Sequence, residues 1–176
     1  KIFIFAVMLL ASPTLFTDNY IASNISNPST YVRREDMRAT NWIKNNIPDD
    51  AIIQAEPNYP ESDRITAPKY SYSLIPIFAE RKTAIGEWKV SSQEHGKVED
   101  VGKRFHLIRK MYSTSDIDEC VEIIDRYGIN YIYVGRLERE LYREGIAKFE
   151  NNNKFVLVYS IDDISVFKYI NSEKEG

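Results

Sequence analysis

The residues best suited to chemistry stand at the ends of candidate strands. Glu56 closes the apolar run 51–55, Glu87 and Trp88 follow a weak second strand over 82–85, and Gly135-Arg136 follows the apolar run 129–134. In open sheets built of alternating strands and helices, ligands bind beyond the carboxyl ends of the parallel strands. These three ends are therefore expected to converge on one rim with the polar stretch that carries His95 and Arg104. A carboxylate accepts hydrogen bonds from hydroxyl groups, an indole face covers apolar C–H patches, and a guanidinium adds charge. That set suits a sugar, and Arg104 or Arg81 would also suit a phosphate. The candidate substrate-binding residues are Glu56, Glu87, Trp88, His95 and Arg104, with Arg81 behind them, and none is assigned a catalytic step. The competing reading is a solvated charged rim that caps helices and fixes a loop by ion pairs.

Other chemistries find no footing. The seven glycines are scattered, with neither G-x-G-x-x-G nor G-x-x-x-x-G-K-[ST] among them, and no G-x-S-x-G elbow occurs. Cys120 falls on the apolar face of a candidate helix and reads as a structural thiol. His106, between Phe105 and Leu107, reads as a core or half-buried histidine. One cysteine excludes an internal disulfide framework and a multi-cysteine zinc site, and two histidines argue against a His-rich metal site. A net charge of −3 argues against a nucleic-acid partner. Several of the twelve tyrosines (Tyr131, Tyr133, Tyr159 and Tyr169) lie within candidate strands, where sheet propensity accounts for them.

The elements that must position these residues are legible in part. A chain of 176 residues, 43% hydrophobic and 28% charged, is long enough for one domain with a core. Ala39, Ile43 and Ile47 recur every four residues beside Trp42, which predicts a helix over Arg34–Asn46 stopped by Pro48. The stretch 66–74 reads as a short helix, 91–103 as a long surface loop, and 105–111 as a turn or two of helix. Ile117, Cys120, Val121, Ile124 and Tyr127 mark the clearest amphipathic helix, with Thr114, Ser115 and Asp116 as its capping residues and Gly128 as its stop. The apolar run 129–134 is the best strand. A helix interrupted at Gly145 then leads to alternating strands over 155–159 and 164–169, joined by a turn over 160–163. The sum predicts an α/β fold: a mainly parallel sheet of about five strands with flanking helices and a C-terminal antiparallel hairpin.

The N-terminal part has a different character. Residues 2–11 form an apolar run, about half the length of a membrane-spanning helix. It reads as a signal-peptide core, as the outer end of a severed transmembrane helix, or as a buried strand or helix. The opening Lys1 points to an excised or processed piece. Residues 12–30, rich in Ser, Thr, Asn and Pro, read as an extended connector that holds one N-glycosylation acceptor, Asn24-Ile25-Ser26. The expected organisation is thus an apolar segment or stub over 1–11, a connector over 12–30, an α/β domain over 31–170 and a tail over 171–176.

Three stretches of the second half carry a family likeness: Tyr112-Ser113-Thr114-Ser115-Asp116, then 125–139 (DRYGINYIYVGRLER), then Tyr142 with Gly145-Ile146-Ala147-Lys148-Phe149. Together they resemble the C-terminal tail of the YYY-type multi-pass membrane proteins. That family is largely archaeal and similar to GT-C glycosyltransferases, the architecture of protein mannosyltransferases and oligosaccharyltransferases. Upstream, Trp42 and Glu56, then Arg64-Ile65-Thr66, then Gly86, Trp88, His95 and Arg104 resemble further segments of that family. Glu87 between Gly86 and Trp88, and Gly96 after His95, depart from its pattern.

The resemblance implies an extracytoplasmic domain of a cell-membrane protein, with its own transmembrane region and a lipid-linked sugar or glycan acceptor as partners. It places the presumed catalytic acid outside this chain, leaves any divalent metal to the full-length protein, and gives this stretch no cofactor. The expected role is to assist substrate binding over a membrane-embedded active site. The competing expectations are a membrane-anchored protein-interaction module and a free-standing hydrolase that uses Glu56 and Glu87.

Overall fold

The computed structural model describes residues 32–57, 74–86 and 98–171. Their elements in chain order are α1 (Arg34–Asn46), β1 (Ile53–Gln54), a π-helical turn (Ile75–Ala79), α2 (Val98–Ser113), α3 (Ile117–Tyr127), β2 (Tyr131–Val134), α4 (Arg136–Leu141), α5 (Ala147–Asn151), β3 (Phe155–Ile161) and β4 (Ile164–Tyr169). The apolar segment, the connector with Asn24, the proposed helix over 66–74 (except Leu74) and most of the tail lie outside the described residues.

One sheet of four strands, in the order β1-β2-β4-β3, organises the described residues. Only β1 and β2 are parallel, and both pairings of β4 are antiparallel. The expectation of about five mainly parallel strands is therefore corrected, while the C-terminal hairpin and the flanking helices are present. The physical reason lies in the hairpin. Because β4 is antiparallel to both of its neighbours, β3 runs in the same direction as β2, as a helical crossover through α4 and α5 requires. The tight turn at Asp162-Asp163 then returns β4 into the space between β2 and β3. Alternating helices and strands do foretell the crossover, but they do not tell which strand fills the gap.

The segment 82–85, expected as a second strand, is held by a single bridge between Ile52 and Lys82. Beyond that bridge a side chain replaces the ladder. Gln54 Oε1 accepts from the Ile85 N–H at 3.1 Å, and Gln54 Nε2 donates to the Ile85 carbonyl at 2.9 Å. A buried glutamine thus supplies the donor and acceptor that a neighbouring strand would have offered.

Both faces of the sheet are covered. Ile132, Val134, Phe155 and Phe167 pack with Phe105, Ile108, Met111 and Cys120 of the α2 and α3 side. Ile53, Tyr133, Ile164 and Val166 pack with Ala39 and Ile43 of α1 and with Ile75 and Ala79 of the π-helical turn. Alternation along β2 and β4 feeds the two cores in turn. A register shift between Leu157 and Tyr159 lets β3 change which face its odd-numbered residues serve.

Helix ends follow local rules. Asp116 Oδ1 accepts from the N–H groups of Asp118 and Glu119, and Gly128 takes φ 63° at the end of α3. Arg33 binds both oxygens of Asp163 at 2.8 and 3.0 Å and also Asp36, so the start of α1 is pinned to the β3–β4 turn. The region expected as loop up to residue 103 and as a helical turn after it is in fact one helix from Val98. Val101, Phe105, Ile108 and Met111, all buried, mark its inner face. His106, expected in the core or half-buried, lies on the outer face and is exposed.

Candidate functional site

β1 and β2 deliver two acidic residues to the same place. Glu56 follows β1 after a single alanine, and Glu138 lies in the first turn of α4, just past β2. Glu138 Oε1 accepts from the Glu56 N–H and its Oε2 from the Gly135 N–H, each at 2.8 Å. One carboxyl group thereby ties the ends of the two parallel strands together. Tyr112 of α2 links the same two strands as well, with its hydroxyl 2.7 Å from the Gln54 carbonyl and 3.0 Å from the Tyr133 carbonyl.

The Glu56 side chain enters a small polar cluster. The Tyr142 hydroxyl donates to Glu56 Oε1 at 2.8 Å. Arg109 Nε donates to the Tyr142 hydroxyl at 3.1 Å and lies 3.2 Å from the same Glu56 oxygen. Glu56 Oε2 is buried and accepts no hydrogen bond from the described residues. Such an orphan is uncommon, because an unsatisfied buried acceptor costs about 1–3 kcal/mol.

Protonation follows from these contacts. Burial pushes the Glu56 carboxyl up to about 8, the Tyr142 hydroxyl and Arg109 oppose the rise, and the Glu138 charge adds to it. Burial also raises Glu138, against the pull of the backbone N–H groups that bind it. Near neutral pH Glu56 is thus predominantly protonated, and Arg109 faces a neutral acid.

The cluster rests on a close-packed support. The Tyr142 ring stacks on Tyr112 with centroids 5.7 Å apart. A Cβ at Gly145 would stand 2.1 Å from the Tyr112 carbonyl, so the α4–α5 connection approaches the end of α2 as only glycine permits. Lys148 Nζ donates to the carbonyls of Tyr112, Thr114 and Gly145, and closes the C-terminal end of α2 with a cation.

The residues singled out by sequence meet different fates. Glu56 is at the centre of the cluster. Glu87, Trp88 and His95 lie outside the described residues. Arg104 is half-buried, donates to the Ala84 carbonyl at 3.3 Å and lies 5.5 Å from the centre of the Tyr127 ring. Arg109, five residues further along α2, is the arginine that reaches Glu56. Arg81 is buried, with its guanidinium engaged by the carbonyls of Lys44, Ile47, Ala79 and Glu80 and by Asp49. That is a helix-end clamp on α1. Cys120 is buried and its thiol is pushed up to about 12, which leaves it unreactive.

Arg109, Tyr142 and Glu138 are not among the site residues that the sequence singles out. Gly135-x-x-Glu138 has the spacing of a helix-start capping box after a strand, a signal that marks Glu138. Nothing local marks Arg109, and Tyr142 stands out only among the residues of the family likeness. Among the described residues no group of three or more His, Cys, Asp or Glu is placed to hold a metal ion.

These observations define a mixed α/β domain whose polar cluster lies at the carboxyl ends of its parallel strands. The fold is similar to that of the C-terminal globular domain of an oligosaccharyltransferase from Archaeoglobus fulgidus, with a TM-score of 0.53 and 13% sequence identity, covering 80% of this chain and 100% of that one. No protein-family model matches the sequence, and no curated protein does.

Proposed function

We propose that this chain is the C-terminal domain of a multi-pass membrane protein of the GT-C glycosyltransferase kind, on the extracytoplasmic side of the cell membrane. It binds substrate over an active site embedded in the membrane and performs no turnover alone. Its partners on this reading are its own transmembrane region and a lipid-linked sugar or glycan acceptor. The catalytic acid and any divalent metal belong to the full-length protein. The observation that carries the proposal is the fold likeness, which spans the whole of the neighbouring oligosaccharyltransferase domain. The buried acid at the carboxyl ends of β1 and β2 supports a ligand-facing end, and the apolar run 2–11 suits the end of a membrane helix. No helix among the described residues is long and apolar enough to cross a membrane.

The reading frame around Lys1 tests the context. Several apolar spans upstream, with an acidic loop after the first, are expected, and a native start near Lys1 overturns the proposal. Sugar transfer from a polyprenyl-phosphate-linked donor, measured in membranes that carry the full-length protein, tests the role. Glu56→Gln is expected to raise KM for donor or acceptor more than it lowers kcat. Glycoside hydrolysis by the 176-residue chain alone would favour a free-standing hydrolase instead.

A further inference from the structure

Arg109 differs in its surroundings from five other arginines with carboxylate partners. Arg33, Arg81, Arg126, Arg136 and Arg139 each meet an aspartate or glutamate whose side chain retains at least 13% exposure. Arg109 meets Glu56, whose side chain is 4% exposed. Its Nε is held between the Tyr142 hydroxyl and Glu56 Oε1, which fixes the plane of the guanidinium. Its two terminal nitrogens make no hydrogen bond to the described residues, and its side chain is 38% exposed. The result is an anchored fork with four N–H donors, presented at the carboxyl ends of the parallel pair.

We infer that the terminal nitrogens of Arg109 bind the phosphoryl group of a ligand end-on, with two phosphate oxygens on the two nitrogens. The inference deepens the binding role proposed above and rests on that reading for its place in the fold, not for any membrane context. Two oxygens on one phosphorus match the spacing of the fork. A phosphate monoester carries about −1.5 to −2 charges at pH 7, so it gains more from a lone guanidinium than a carboxylate does.

Among the described residues, the charged and titratable groups facing Glu56 are Arg109 and Tyr112 of α2, Glu138 of α4 and Tyr142 beyond it. Below about 8 Glu56 is neutral and leaves the Arg109 charge uncancelled, and above it the new carboxylate competes with the phosphate. Binding is therefore expected to weaken as pH rises through that value.

The test follows the side-chain Nε–H resonance of Arg109 in the 176-residue chain during titration with inorganic phosphate and with glycerol 3-phosphate. A saturable shift is expected, absent in Arg109→Gln and several-fold weaker in Arg109→Lys when binding to these variants is followed by calorimetry. Circular dichroism checks whether both variants are folded. Should either variant unfold, Glu56→Gln decides: its phosphate affinity should stay level across pH 8, where the wild type loses affinity several-fold. Vesicles of phosphatidylcholine with phosphatidic acid form a second arm. Saturable binding of the soluble esters, or of the vesicles alone, supports phosphoryl recognition and separates a free source from a lipid-linked one. No saturable binding in either arm, or binding unchanged in Arg109→Gln, overturns the inference. The upstream reading frame is determined separately, so failure of the membrane reading and failure of this site are distinguishable.

Discussion

Arg81 and Arg109 occupy two polar clusters of opposite design. At Arg81 every nitrogen of the guanidinium has an acceptor, the main-chain carbonyls around the end of α1 among them, and the one carboxylate partner, Asp49, is 93% exposed. At Arg109 one nitrogen is engaged among the described residues, and the carboxylic acid behind it keeps an oxygen that accepts no hydrogen bond from them. A fully satisfied buried network rigidifies a fold. A network with donors and an acceptor left over has capacity for something else. The two arginines thus differ in how many of their donors the described residues satisfy.

The largest expected effect breaks the support on which the second cluster stands. Gly145→Ala places a methyl group against the Tyr112 carbonyl and should cost about 3 kcal/mol in denaturant unfolding, with loss of the Tyr142–Tyr112 stack. Arg81→Met leaves the carbonyls of Lys44 and Ile47 without their donor. It should cost about 2–3 kcal/mol, yet leave the Arg109 Nε–H resonance in place.

Glu56→Gln sharpens the contrast through pH. The folded Glu56 binds its proton more tightly than the unfolded chain does, its value rising from an ordinary 4.5 to about 8. Between those values the folded state holds more protons, so wild-type stability falls as pH rises, by at most about 1.4 kcal/mol per pH unit from this group. The variant should lose that part of the slope in urea unfolding, while Glu138 keeps a slope of the same sign. Arg126→Ala, which removes an exposed pair with Glu122 on α3, sets the baseline at below about 0.5 kcal/mol.

Legibility from sequence divides along similar lines. The bounds of α1 and α3 follow from apolar spacing and from residues within a few positions, such as Pro48, Asp116 and Gly128. Only the second half of α2 is legible, because its first turns around Gly102 are polar and only the inner positions from Val101 onward repeat. The strand expected at 82–85 fails for a different reason: Gln54 pairs with the Ile85 backbone through its side chain, which no pattern along 82–85 reveals. Of the candidate site, Glu56 is legible because an acid ending an apolar run is informative. Arg104 and Arg109 lie on one helix and look alike in sequence, and only packing shows which of them meets Glu56.

What the sequence determined by itself is local: where α1 and α3 start and stop, the apolar faces of those helices, and the hairpin at the C-terminal end. The tertiary structure alone decided that β4 enters the sheet between β2 and β3, that Glu138 joins two strand ends, and that Arg109 and Tyr142 meet Glu56. The Glu56–Tyr142 hydrogen bond spans 86 positions of chain. Contacts of that range depend on how whole elements pack, and burial then sets the charge that Glu56 can carry.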